Sequence, residues 1–124
     1  MLKLVQICLI SVGLLLGNPT FDHLVSSIQT NQISELSSHF DEEVSLTLGK
    51  QKVYYSKTKA EQAIQQFLRE HPVQKAFIQS TGNKDDDQFA IGKMIDKSGK
   101  TFRLYLMGKE KNHRFVLLEL RFQE

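Results

Sequence analysis

The chain has 124 residues, of which 40% are hydrophobic and 24% charged, and this balance is typical of one folded domain. Its net charge of +2 falls to +1 when an N-terminal segment containing Lys3 is set aside. A dedicated nucleic-acid-binding protein has a larger or more clustered basic excess, so we expect no nucleic-acid partner.

An apolar run from Leu4 to Leu16 follows Lys3 at the N-terminus. A short apolar run behind a basic residue is typical of a secretory signal peptide, whereas a membrane-spanning helix needs roughly 20 apolar residues. We therefore predict a signal peptide over residues 1–17, with cleavage near Gly17. The mature protein is then exported, to the periplasm or beyond the cell, and has no stable membrane anchor.

A single domain is expected over residues 18–124. Cys8 is the one cysteine of the sequence and lies in the predicted signal peptide. The mature chain therefore offers no disulfide, no thiol nucleophile and no cysteine-bound zinc.

Two helices are predicted at the start of this domain. Asn18 and Pro19 indicate a helix start, because proline at the first helical position loses no hydrogen bond. A second, short helix opens near Asn31 and ends at the acidic stretch 41–43. The apolar residues at helical spacing are Phe21, Leu24, Val25 and Ile28 in the first helix and Ile33, Leu36 and Phe40 in the second.

A β-hairpin is predicted next, because apolar and polar residues alternate on both sides of Gly49-Lys50. The turn places Leu48 opposite Gln51, and one face of the hairpin is then apolar. Two pairs form that face: Val44 with Tyr55, and Leu46 with Val53.

The longest helical pattern comes after the hairpin. Thr58 and Glu61 have the spacing of a capping box, and Pro72 ends the helix. Its apolar face consists of Ala60, Ala63, Ile64, Phe67 and Leu68. Four antiparallel strands follow, separated by polar turns, over residues 73–82, 88–96, 101–108 and 113–122.

Two segments carry a resemblance to known proteins: ISELSSHFDEEVSL, from Ile33 to Leu46, and SKTKAEQAIQQFL, from Ser56 to Leu68. The order of helix, helix, hairpin, long helix and four strands resembles the nuclear transport factor 2-like (cystatin-like) superfamily. With its leader, the chain resembles a family of small exported bacterial proteins of unknown function. The resemblance implies an α+β fold, in which three helices of the N-terminal half lie in the concave face of a curved, cone-shaped antiparallel sheet.

Strand alternation predicts which side chains face the cone. The residues expected inside are Phe102, Leu104 and Leu106 on one strand and Val116, Leu118, Leu120 and Phe122 on the last. The apolar residues expected outside are Tyr105, Met107, Phe115 and Leu117. Such an apolar cone predicts a pocket for a small apolar ligand. Its candidate lining residues are Leu46, Val53, Tyr55, Phe67, Leu104 and Leu118.

The orientation of Lys93 depends on the loop that follows it. A four-residue loop over 97–100 places Lys93 inside, with Phe89, Ile91 and Leu104. A three-residue loop with Gly99 in the left-handed conformation places it outside. We favour the outward orientation, because buried unpaired lysines are rare.

The histidines do not have a ligand spacing that defines a metal site. His23 and His39 lie near helix ends, where acidic neighbours are expected in any case, and His71 suits a helix C-terminus. We therefore assign no metal ligand, no cofactor and no catalytic residue.

These features predict a non-catalytic module of the cell envelope that binds a small apolar ligand or an envelope protein. An apolar outer face also predicts a homodimer joined through that face. One alternative is a small isomerase, dehydratase or hydrolase that uses Lys93, Tyr55 or a histidine in the cone. Another is a purely structural dimer whose cone is filled.

Overall fold

The computed structural model describes residues 19–124, and the predicted signal peptide lies outside them. The described part contains three helices and six strands. In chain order they are α1 (Pro19–Gln29), α2 (Ile33–Ser37), β1 (Phe40–Gly49), β2 (Gln51–Ser56), α3 (Lys57–Glu70), β3 (Val73–Lys84), β4 (Asp87–Asp96), β5 (Thr101–Lys111) and β6 (Arg114–Gln123). Within this range no helix is long and apolar enough to cross a membrane.

All six strands form one sheet in the order β2-β1-β6-β5-β4-β3. Neighbouring strands are antiparallel except β1 and β6, which are parallel. The first hairpin has the predicted register, with Leu48 opposite Gln51 and Leu46 opposite Val53. Gly49 takes the left-handed conformation that its turn requires, with φ of 68°.

The helices lie on one face of the sheet and form a single core with it. Apolar residues of all three helices belong to the same buried cluster as inward residues of β1, β4, β5 and β6. Strand alternation correctly predicts the inward side chains of β5, which are Phe102, Leu104 and Leu106. The predicted α+β architecture, with helices from the N-terminal half against a curved sheet, is confirmed.

The second helix is shorter than predicted, because Phe40 begins β1 instead of extending α2. The His39 carbonyl accepts a hydrogen bond from the Leu117 amide at 2.7 Å, and Phe40 lies opposite Leu117. Pairing with the distant β6 therefore overrides the local helical stripe. As a result the acidic residues 41–43 lie within a strand and do not terminate the helix.

The third helix begins one residue after Ser56, not at a Thr58 cap. The Ser56 hydroxyl accepts a hydrogen bond from the Lys59 amide at 3.4 Å. Glu61, the predicted partner of Thr58, instead accepts a hydrogen bond from Ser37 of α2. The predicted capping box is thus wrong, and its glutamate joins two helices.

The last strands run further than predicted because their turns are tighter. β3 extends to Lys84, and β5 to Lys111. Asp85, Asn112 and His113 have positive φ values of 55°, 52° and 64°, which two-residue hairpin turns need and Asn and Asp tolerate well.

Candidate functional site

The six predicted pocket residues are divided between the core and the surface. Leu46 and Leu104 are fully buried in the core, with Tyr55 and Phe67 packed against it. Val53 lies on the edge strand β2 and is 36% exposed, and Leu118 is half-buried outside the core cluster. Four grooves on the described surface are lined by other residues.

A β-bulge in β6 changes which of its side chains face the core. Met107 pairs with Glu119, whereas the next residue, Gly108, pairs with Leu117, so Leu118 has no partner on β5. A bulge reverses the alternation on one side of it. Leu117 is accordingly buried in the core, although it was predicted on the outer face.

The same bulge also reverses the predicted orientation of Phe115. Its ring meets Phe21 of α1 edge to face at 5.3 Å, which places it on the helix side of the sheet. The predicted outer cluster therefore loses Phe115 and Leu117 and keeps Tyr105 and Met107.

Lys93 is exposed on the outer face, as the three-residue loop predicts. It lies directly opposite Arg103, and Gly99 has φ of 93°. The Asp96 amide donates to the Lys100 carbonyl at 2.9 Å, which closes the loop over 97–99. Phe89 and Ile91 share this outer face, since they pair with Met107 and Tyr105.

Sequence reasoning missed a buried carboxylate, Asp96, at the end of β4. It is 2% exposed, and its Oδ1 accepts hydrogen bonds from the Ser98 amide at 2.9 Å, the Ser98 hydroxyl at 2.6 Å and the Lys100 amide at 2.9 Å. His71 Nδ1 lies 3.1 Å from its Oδ2. The Ser98 hydroxyl is the main cause that lowers the pKa of Asp96 to about 2, and the Lys100 amide and His71 add to it.

The neighbours of His71 show that this pair closes one end of the core. The imidazole contacts the rings of Phe67 and Phe102, with centroids 4.8 Å and 5.0 Å away. All of these Asp96 contacts are with the loop after β4 or with the end of α3. We therefore interpret the pair as a structural link between that loop and α3. The signal in the sequence was the Asp-Lys-Ser-Gly loop, in which a short acidic side chain binds amides further along its own turn.

The outer face of the sheet carries an apolar patch, which we define as Phe89, Ile91, Tyr105 and Met107. They form two direct cross-strand pairs, Phe89 with Met107 and Ile91 with Tyr105, and all four are half-buried. The Phe89 and Tyr105 rings stack at 6.3 Å. None of the four belongs to the core cluster to which the helices contribute.

A polar region continues the same face across β6, β1 and β2. Arg121 lies 4.5 Å from the Tyr105 ring and donates to Glu119 at 2.7 Å, and Lys52 lies 3.9 Å from the same carboxylate. This ion pair raises the pKa of Arg121. Ser45 lies beside Glu119, and its buried hydroxyl has no hydrogen-bond partner within the described region. The polar region ends at the edge of the sheet with the Tyr54 side chain, which is 62% exposed.

A surface groove lies between the α1–α2 turn and α3. Its volume is about 630 Å³. The lining is polar and consists of Asn31, Gln32, Ile33, Ser34, Glu35, Gln65 and Arg69. Glu35 also lies close to two histidines, His23 and His39, a juxtaposition that spacing in the sequence did not indicate.

The curved sheet and its three helices form a nuclear transport factor 2-like fold, and a designed protein with that fold has a similar structure. The two share 13% identity over 79% of this chain and 88% of the designed one, with a TM-score of 0.60. A putative calcium/calmodulin-dependent protein kinase II association domain from Xanthomonas campestris is also similar, with 15% identity, 84% and 81% coverage of the two chains and a TM-score of 0.61.

The chain belongs to the family described as Domain of unknown function (DUF4783), which matches residues 21–123. A crystal structure of a DUF4783 family protein from Bacteroides ovatus has 22% identity and a TM-score of 0.75, covering 82% of this chain and 91% of that one. These identities show the fold alone. Comparison with curated proteins finds no match.

Proposed function

We propose that this protein is an exported, non-catalytic interaction module that acts as a homodimer joined through the outer face of its sheet. The observation that carries the proposal is the apolar patch, which lies on the face that the three helices leave uncovered. A two-fold axis would place this patch against the same patch of a second copy, which is the simplest partner that covers it.

The filled interior favours a role in interaction through the surface over acid–base chemistry in the cone. Apolar side chains of the helices and strands fill the described core, and the buried carboxylate Asp96 already accepts hydrogen bonds from Ser98 and Lys100. A general base needs a free position within reach of substrate. The name of the similar Xanthomonas campestris structure, an association domain, agrees with a role in assembly.

Charge at the border of the patch gives the dimer a distinctive salt dependence. Lys93 and Arg103 lie opposite each other at this border, and both are exposed. In the dimer, the Lys93 and Arg103 of one copy would lie near those of the other copy, and these like charges would repel each other. Added salt screens such repulsion, so we expect the dimer to become tighter at higher ionic strength, whereas an acidic partner would bind more weakly.

Light scattering across a concentration series of about 10–100 µM tests the assembly, a range in which weak interfaces still form. We expect the wild type to be dimeric, Ile91→Lys to be monomeric and Val53→Lys, an exposed apolar control away from the outer face, to remain dimeric. A monomeric wild type, or a dimeric Ile91→Lys, contradicts the proposed interface.

Export is tested separately by intact mass measurement on protein from the native host. We expect envelope or secreted protein that lacks residues 1–17. Full-length protein recovered from the cytoplasm contradicts export. Turnover of an ester, epoxide or ketosteroid that Tyr55→Phe abolishes would replace the binding role with the enzyme alternative.

A further inference from the structure

Three side chains with metal-binding atoms meet on the surface formed by α1 and α2. His23 Nε2 lies 2.9 Å from Glu35 Oε1, and His39 Nε2 lies 3.9 Å from the same oxygen. One possible ligand atom from each of the three residues lies within 4.8 Å of the other two. The two imidazole rings meet edge to face, with centroids 5.8 Å apart.

Buried neighbours hold each of these residues in place. Phe21 and Leu24 flank His23 on α1, and both are buried. Leu36 follows Glu35 on α2 and is equally buried, while the His39 backbone is fixed to β6 by its hydrogen bond to Leu117. Because the backbone is anchored at these positions, binding a ligand there orders the side chains but little additional backbone.

For two of the three residues, Glu35 and His39, the surroundings favour the form that binds metals. The hydrogen bond from His23 lowers the pKa of Glu35, which keeps it a carboxylate. Burial lowers the pKa of His39, Glu35 opposes this effect, and His23, Arg114 and Lys57 add to it, which favours the neutral imidazole. Metals require deprotonated ligands of both kinds.

We propose that His23, Glu35 and His39 bind one divalent late first-row transition metal ion, of which Zn²⁺ is the representative. Zinc bonds to imidazole nitrogen and carboxylate oxygen of about 2.0–2.2 Å place tetrahedral ligand atoms about 3.3 Å apart. The 2.9 Å and 3.9 Å separations lie on either side of this value. Side-chain rotations that bring the ligand atoms, now within 4.8 Å of one another, to this spacing would complete the geometry.

The donor set decides the class of metal. Calcium and magnesium prefer oxygen ligands, whereas two imidazoles and one carboxylate suit zinc, copper, nickel or cobalt. Three protein ligands leave a fourth position for water or for a donor from another molecule. This site does not depend on the proposed homodimer, since it lies on α1, on α2 and in the turn after α2, and not on the outer face of the sheet.

Calorimetric titration of ZnCl₂ into the untagged, chelator-treated full chain tests the site. We expect one Zn²⁺ per chain at pH 7.5, with much weaker binding at pH 5.5, where protons compete for the imidazoles. Co²⁺ used as a spectroscopic probe should give the visible absorption bands of a tetrahedral nitrogen and oxygen site. No saturable zinc binding at pH 7.5 overturns the proposal.

Matched variants locate the ion. Asparagine keeps the general size of a histidine but removes Nε2, so His23→Asn and His39→Asn should each weaken binding at least tenfold, as should Glu35→Gln. His113→Asn is the control, because His113 is exposed in the β5–β6 turn, where asparagine tolerates the positive φ of 64°.

Thermal melts of the metal-free proteins show that each variant folds. Zinc should then raise the melting temperature of the wild type and of His113→Asn, but not that of the three cluster variants. Wild-type affinity in His23→Asn, His39→Asn and Glu35→Gln would mean that the cluster is an ion-pair network without a metal. Equal loss in His113→Asn would place the ion elsewhere; either result overturns the assignment.

Discussion

His71 and Asp96 join the end of α3 to the end of β4, with Nδ1 of the histidine 3.1 Å from Oδ2 of the aspartate. The pair lies 25 residues apart in the chain and makes a contact that neither local segment needs for its own structure. The Lys97 amide adds a second link, since it donates to the Pro72 carbonyl at 2.8 Å. The loop after β4 is therefore fixed both to itself and to the helix that precedes β3.

The depressed pKa of Asp96 predicts an acid-sensitive contribution to stability. Its hydrogen bonds lower the pKa from 3.8 to about 2, so the folded state favours the carboxylate more than the unfolded state does. The contribution is fully present above the unfolded pKa and is lost as the pH falls through 3.8 towards 2. We expect wild type to be more stable than Asp96→Asn at pH 7, and the difference to shrink over that window.

Urea unfolding of both proteins across the acid range measures this difference. Asp86→Asn, in the exposed β3–β4 turn, is the matched control and should show no such change. A difference between wild type and Asp96→Asn that stays constant down to pH 2 would show that the Asp96 carboxylate adds nothing beyond the shape of its side chain.

Local signals in the sequence predicted the elements whose contacts are themselves local. The first hairpin follows from Gly49 in its turn, and the apolar face of α3 follows from residue spacing within one helix. The loop that orients Lys93 also depends on a single nearby glycine, Gly99. In each case the residues that determine the structure are only a few positions apart in the chain, so the local sequence is enough to predict it.

The errors arise where distant segments meet. Pairing with β6 pulls Phe40 out of the predicted helix, and the bulge at Leu118 reverses the alternation that strand periodicity assumes. The cluster of His23 with Glu35 forms because α1 and α2 pack together, and the two residues are 12 positions apart, which matches no ligand motif. A sequence pattern does not encode such tertiary placements directly.

Alanine substitutions in β6 test the bulge. Leu117 is 0% exposed, so Leu117→Ala should destabilise the protein by about 2–5 kcal/mol, the usual cost of a large-to-small change in a core. Leu118 is half-buried outside the core, and Leu118→Ala should cost about 1 kcal/mol. If β6 alternated regularly without the bulge, Leu118→Ala would destabilise the protein more than Leu117→Ala in chemical denaturation.

Substitutions at two glycines distinguish a position where a larger side chain has no room from one where only the backbone conformation favours glycine. A Cβ on Gly92 would lie 2.1 Å from the Phe77 carbonyl oxygen, so Gly92→Ala must push β3 away from β4 and should cost about 3 kcal/mol. Gly99 has open space around it and a φ of 93°, and Gly99→Asn should cost less than about 1 kcal/mol, since asparagine tolerates the left-handed region. Equal melting temperatures for the two variants would contradict the predicted crowding at Gly92.

The hydrogen bond between Ser37 and Glu61 predicts an energetic coupling between α2 and α3. Ser37 is 2% exposed, and its hydroxyl contacts both the Glu61 carboxylate and the Ser34 carbonyl, the latter at 3.1 Å. Ser37→Ala should cost about 1–3 kcal/mol, because it leaves a half-buried carboxylate without this donor, while Ser38→Ala, in the exposed neighbour, should cost much less. A double-mutant cycle of Ser37→Ala with Glu61→Gln, measured by urea unfolding, should give a coupling energy of about 1 kcal/mol.

Because α2 carries Glu35, Ser37→Ala should also weaken zinc binding, although Ser37 is not one of the proposed ligands. A cycle without coupling would mean that α2 is held by its apolar residues alone.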